Sequence, residues 1–124
     1  AQYQAGMDLL AHAQYAPARA TFEQLIQENG SSEFAPQAQY WIADIDFVQK
    51  DYRSAARGYA EVLKSYPQSE RAPDAMLKLG LSLIAMGQTK EGCTTLGAVS
   101  SKYPDASDTV LGRAQRERTK AGCS

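Results

Sequence analysis

Cys93 and Cys123 are the only thiols in the chain, and His12 is its only imidazole. Two cysteines with no nearby histidine cannot complete the four ligands of a structural zinc site. A single histidine also removes triads, multi-histidine metal sites and most general-base arrangements. His12 falls on the first helical hairpin, where an exposed side chain without chemistry is the simplest reading. Asp44 and Asp46 stand two apart on one helix, so they point in different directions and make a poor carboxylate pair. The nine glycines are scattered rather than gathered into a phosphate-cradling loop. The expectation is a protein that is not an enzyme and has no cofactor and no metal.

The two cysteines leave one covalent question open. Cys93 falls within the sixth expected helix and Cys123 follows Gly122 at the end of the seventh. Consecutive helices run antiparallel, which returns the chain end toward the start of the sixth helix. A Cys93–Cys123 disulfide and two independent thiols are both compatible with this placement, and a bond would imply an oxidising compartment.

What positions these residues is a repeat. Tyr15-Ala16-Pro17-Ala18-x3-Phe22-x2-Leu25 returns 37 positions later as Tyr52-Arg53-Ser54-Ala55-x3-Tyr59-x2-Val62, and more faintly as Thr89-Lys90-Glu91-Gly92-x3-Leu96-x2-Val99. Ser65-Tyr66-Pro67 and Lys102-Tyr103-Pro104 close two of the units. The third unit reads Met76-x2-Leu79-Gly80-x2-Leu83, then Gly92-x3-Leu96, then Pro104, which resembles the tetratricopeptide signature of small and large residues at helix crossings. Units this short cannot bury their own apolar faces and must stack. The expected fold is therefore all-α: one domain over residues 1–124, a right-handed superhelical tetratricopeptide solenoid. It has three helix-turn-helix repeats at about 1–30, 34–67 and 71–104 and a capping helix at about 107–121. Helices are expected near 2–12, 15–29, 34–48, 52–65, 70–86, 89–102 and 107–121. Gly87 ends one of them; Ser31-Ser32, Ser69 and Ser107 stand where hydroxyls can cap the helices that follow, and Pro36 and Pro73 fall in first turns.

The last helix carries Val110, Leu111 and Ala114 as an inward stripe, with Arg113, Gln115, Arg116, Glu117, Arg118 and Lys120 around it. A terminal repeat needs a solvent-compatible outer face, so this helix reads as a cap. The alternative is a basic docking face of Arg113, Arg116 and Lys120. In a stack of this type the first helix of each pair lines the concave surface. The period aligns Tyr3, Tyr40 and Leu77 in one column, Met7, Asp44 and Leu81 in a second, and Leu10, Phe47 and Ile84 in a third. An apolar concavity with aromatic anchors suits an extended peptide or amphipathic helix of another protein. The competing reading is that part of this stripe, Phe47 and Ile84 especially, is core. Lys78 is the only cation near these columns, so a clamp for a terminal carboxylate is not expected.

Thirteen basic against fourteen acidic side chains give a net charge of −1. No excess positive charge is available to displace counterions from a phosphate backbone, which argues against nucleic acid. No run reaches the roughly 20 apolar residues of a membrane helix, so no membrane insertion is expected. The chain opens on Ala1 without a leader, which reads as a mature secreted form or a piece of a longer protein.

Tyr66-Pro67-Gln68-Ser69, Ala72-Pro73-Asp74-Ala75-Met76-Leu77-Lys78-Leu79-Gly80, Tyr40-Trp41-Ile42-Ala43 and Lys50-Asp51-Tyr52-x2-Ala55 occur in order over nearly the whole chain. In these phrases the sequence resembles the C-terminal repeat domain of the YbgF/CpoB family, the cell-division coordinator associated with the bacterial Tol-Pal system. Asp46 departs from that pattern's usual aromatic, and Gly30 replaces the proline of the first Tyr-Pro turn. The resemblance implies a Gram-negative periplasmic protein with a secretory signal and a trimerising coiled coil upstream. It also implies binding to TolA and, with a bifunctional peptidoglycan synthase, coordination of outer-membrane constriction with septal peptidoglycan synthesis. The repeats alone would then be monomeric. Similar Tyr-Pro-x-Ser turns occur in the lipoprotein of the outer-membrane β-barrel assembly machine, and this reading, or another peptide-binding scaffold, stands as the alternative.

Overall fold

A computed structural model describes residues 1–124. It contains seven helices and no strand: α1 (Gln2–Ala11), α2 (Tyr15–Glu28), α3 (Ala35–Val48), α4 (Tyr52–Ser65), α5 (Ala72–Ala85), α6 (Thr89–Lys102) and α7 (Asp108–Ala121). Each helix packs on the next in sequence, and α7 folds back to touch α5 as well as α6. The result is an all-α solenoid of three hairpins closed by a seventh helix. No helix is long and apolar enough to cross a membrane.

The turn inside each hairpin is the same device used three times. Gln14, Asp51 and Gln88 donate their backbone N–H groups to the carbonyls of Leu9, Asp46 and Leu83. This closure needs a left-handed residue one position earlier, and Ala13 (φ 57°), Lys50 (φ 65°) and Gly87 (φ 85°) fill that place. Only the third is the residue type for which this conformation is free of Cβ strain.

Turns between hairpins differ from the serine-capping expectation. Ser107 does cap α7, its Oγ accepting from Val110 N at 3.2 Å. Ser32 Oγ instead accepts from Phe34 N, outside α3, and Ser69 Oγ is buried with no partner. The caps of α3 and α5 are Phe34 and Arg71, without side-chain hydrogen bonds. The physical reason is a tight backbone turn: Ala35 N donates to Ser32 O and Ala72 N to Ser69 O, so carbonyls satisfy amides that a hydroxyl would otherwise serve. Asp51 caps α4 through Ser54 N. Pro36 and Pro73 lie in first turns, where their missing N–H groups have no helical partner to lose.

Packing follows from the inability of one hairpin to close its own core. Phe22 and Leu25 of α2 are buried with Ala35, Ala38, Ile42 and Ile45 of α3. Tyr59 and Val62 of α4 are buried with Tyr40, Ala43 and Ala75 of the flanking helices, while Leu96 and Val99 of α6 meet Met76, Leu77, Val110 and Ala114. The Tyr-Pro phrases prove to be staples between repeats. Tyr66 Oη donates to Gly30 O at 3.1 Å and Tyr103 Oη to Pro67 O at 3.0 Å. Gly80 and Gly92 let α5 and α6 touch backbone to backbone; a Cβ on Gly92 would lie 2.9 Å from Gly80 O.

Asp46 holds a position whose counterparts 37 residues away, Leu9 and Leu83, are apolar. It is 7% exposed, and Arg19 of α2 reaches across to pair with it. Burial raises the Asp46 carboxyl above the usual carboxylate range, although Arg19 pulls it down. Cys93 of α6 and Cys123 beyond α7 are bonded, with Cα atoms 5.6 Å apart, and Gly122 (φ 75°) makes the left-handed turn that brings Cys123 back.

Three measurements test this account. Lys50→Gly should raise stability by about 0.5–1 kcal/mol in denaturant titrations, because relief of the left-handed strain exceeds the added entropy of the unfolded chain. An unchanged or lower midpoint would show that Lys50 is not strained. Arg19→Ala should cost about 1–3 kcal/mol at neutral pH by leaving a buried carboxylate unpaired. Because the folded protein holds the Asp46 proton more tightly than the unfolded chain, that cost should shrink as pH falls through the carboxylate range; a pH-independent cost would contradict it. Titration of the unfolded, unreduced protein should find no free thiol, and reduction should lower stability by about 3–4 kcal/mol in the chain-entropy view of a loop of this size.

Candidate protein-binding face

The first helices of the hairpins, α1, α3 and α5, are linked by side-chain hydrogen bonds from Trp41 to Tyr3 and from Lys78 to Asp44. Because Tyr40 and Leu77 are each 3% exposed, two of the expected groove residues belong to the core rather than to the surface. Tyr40 is turned against Tyr59, with centroids 5.7 Å apart, and edge-on to Trp41 at 5.2 Å. Met7 and Leu10 pack on the first core cluster, and Leu81 and Ile84 on the third. Phe47 is half-buried, edge-on to Tyr52 at 5.5 Å and to Tyr59 at 6.3 Å. Small crossings such as Gly80–Gly92 draw the helices close, so Tyr40 and Leu77 are core while Met7, Leu10, Phe47, Leu81 and Ile84 stay half-buried.

Polar and aromatic side chains cover what the columns leave. Lys78 Nζ donates to Asp44 Oδ1 at 2.6 Å, and Tyr59 Oη donates to the same oxygen at 2.8 Å. Arg71 Nε donates to Gln37 Oε1 at 2.9 Å. The Arg71 guanidinium lies 4.9 Å from the centroid of Tyr40 and 5.0 Å from that of Trp41, within cation–π range of both rings. Trp41 Nε1 donates to Tyr3 Oη at 2.9 Å, joining α1 to α3. Of the expected residues, the structure thus gathers Tyr3, Asp44 and Phe47 into a strip with Gln37, Trp41, Arg71 and Lys78. The period points to the Tyr40 and Asp44 columns and passes over Arg71, which precedes α5. The legible signal is the alignment of Trp41 with Lys78, 37 positions apart.

Burial and charge act together on the titratable groups of this strip. Burial pulls the Lys78 ammonium down, but Tyr40 and Asp44 outweigh it and leave it above the usual lysine range. Burial, reinforced by Asp44, carries the Tyr59 phenol far above the ordinary tyrosine range, and burial also raises Tyr40. Asp74 is raised by burial, with Arg71 and Lys78 opposing. Lys78 therefore remains a cation and Tyr59 a hydrogen-bond donor. Arg71 and Lys78 already have partners on the protein, so a free carboxylate would have to displace them.

The competing surface on α7 is built differently. Val110 and Ala114 are buried and Leu111 packs on the core, which makes α7 a lid over α5 and α6. Arg113 and Lys120 both approach Glu117, at 3.9 and 4.0 Å, and Arg116 is exposed. His12 is exposed, its Nδ1 2.8 Å from Asp8 O. No group of three His, Cys, Asp or Glu side chains is close enough to hold a metal ion.

Family models of the tetratricopeptide repeat match residues 3–70 and 74–106. No curated protein matches the chain. The first match spans the hairpins α1–α2 and α3–α4, the second covers α5–α6, and Arg71 falls at the junction between them. Members of this repeat family serve as protein–protein interaction scaffolds. With its helical pairs, its small-residue crossings and a family match over more than half of its length, the chain belongs to the tetratricopeptide repeat family.

Proposed function

We propose that the chain is a non-catalytic module that holds a segment of another protein against the face of α1, α3 and α5, and that the partner is TolA of the Tol-Pal system. In this reading it works in the Gram-negative periplasm, where it helps to coordinate outer-membrane constriction with septal peptidoglycan synthesis. The observation that carries the binding proposal is the strip from Tyr3 through Trp41 to Arg71, half-exposed yet fixed by hydrogen bonds from both neighbouring repeats. Aromatic and arginine side chains held in one geometry are the usual energetic centres of interfaces. The TolA assignment is supported by the phrases around Tyr40, Tyr52, Tyr66 and Leu77 that resemble the YbgF/CpoB repeat domain. The bonded cysteines favour an oxidising compartment, and the periplasm is one.

Calorimetric titration with the periplasmic part of TolA tests the proposal. Wild-type protein should bind, Trp41→Ala should weaken binding about tenfold or more, and Arg57→Ala on α4 should leave it unchanged. Melting curves of each variant separate a lost contact from a lost fold, since Trp41 also supports Tyr3. Absence of any TolA binding would remove the partner assignment. Normal binding by stable Trp41→Ala, together with loss in a combined Arg113, Arg116 and Lys120 variant and steep salt dependence, would move the docking site to α7.

A further inference from the structure

The chain's charges are separated along its axis. Residues 1–48 contain Asp8, Glu23, Glu28, Glu33, Asp44 and Asp46 against a single basic side chain, Arg19. Residues 49–124 carry eight acidic and twelve basic side chains. Arg19 is occupied by Asp46, and Asp44 is held by Lys78 from α5. Asp8, Glu23, Glu28 and Glu33 remain exposed, and none of them is in an ion pair.

An apolar anchor point sits at the same end. Phe34 is 44% exposed, and its ring is stacked on Tyr3 at 5.1 Å with an interplanar angle of 22°. Tyr3 is fixed in turn by the hydrogen bond from Trp41. Beside the pair opens a cleft of ≈ 340 Å³, lined by Ala1, Leu25, Asn29 and Ser32 together with Tyr3 and Phe34. Glu28 and Glu33 flank Asn29 and Phe34 in sequence.

We propose that this cleft, with the exposed carboxylates carried by the same end of the chain, forms a docking patch for a lysine- or arginine-rich segment that inserts one apolar side chain beside Phe34. The inference rests on the reading of the chain as an interaction module and adds the chemistry of its partner. Apolar insertion supplies the anchor, and the unpaired carboxylates select for positive charge and speed encounter. A neutral segment gains only the anchor; an acidic one is repelled.

Three fluorescent peptides of equal length test it: a leucine–lysine helix, and the same sequence with glutamine or glutamate replacing every lysine. The lysine peptide should bind and shift the amide signals of Tyr3, Asn29 and Phe34. Its affinity should fall about tenfold in Phe34→Ala, fall less in Glu28→Gln with Glu33→Gln, survive in Phe34→Tyr, and weaken steeply as salt shortens the screening length. Equal binding of the glutamine or glutamate peptide, shifts centred on Asp44 and Lys78 instead, or no binding by any peptide would each overturn the patch. The TolA titration decides the partner assignment separately. Concentration-dependent self-association abolished by Phe34→Ala would assign the patch to a second copy of the chain and would likewise overturn the proposal.

Discussion

Tyr59 is the largest fully buried side chain of the protein, and its burial is the constraint on which the central repeat depends. The ring lies against Tyr40 and Phe47, so it closes the core between α3 and α4. A phenol cannot be taken out of water without a partner for its hydroxyl. Asp44 accepts the hydrogen bond from that hydroxyl, and Lys78 of α5 neutralises Asp44. One chain of contacts therefore joins the apolar interior of the second hairpin, the polar face of α3 and the third hairpin. The stacking geometry and the exposed strip are consequences of the same arrangement.

The two partly buried ion pairs fit this view of register. Arg19–Asp46 links the first hairpin to the second, and Asp44–Lys78 links the second to the third. Pairs of this kind gain little net stability, since desolvation offsets most of the attraction, yet removing one partner leaves an uncompensated charge. They penalise misaligned stacking more than they strengthen the correct one. The tyrosine staples from Tyr66 and Tyr103 act at the opposite ends of the hairpins. The successive repeats are thus tied at two levels, and a face assembled from three helices is held in a defined geometry before any partner arrives, which lowers the ordering cost of binding.

The end of the solenoid is closed by two different means. α7 lays Val110 and Ala114 on the last apolar face and turns Arg116 to solvent. The disulfide then fastens Cys123, just past the end of α7, to α6. Arg118 shares in this closure: its guanidinium lies over Gly97 and donates to the carbonyl of Ser124. A cap held covalently suits a short array, because a terminal repeat lacks the second neighbour that steadies internal ones.

The helices, their hairpin order and the capping role of α7 are legible in the sequence because period and residue size are local properties. Tyr15 and Tyr52, or Gly80 and Gly92, carry their meaning through spacing alone. Ala13 and Lys50 become recognisable as left-handed turn residues once aligned with Gly87, although neither residue type announces it. The antiparallel run of α6 and α7 allows the Cys93–Cys123 bond, but a bond depends on Cα separation, which only the folded chain sets. The face was the hardest to read. Spacing places Tyr40 and Leu77 on the inner side of their helices, but how deeply a side chain sinks depends on how closely the neighbouring helix approaches. That distance is fixed by residues elsewhere in the chain, through contacts such as Gly58 against Ala43 and Gly92 against Gly80. The same approach decides which polar groups meet, so the partnership of Asp44 with Lys78 and of Arg71 with Gln37 emerges only in the tertiary structure.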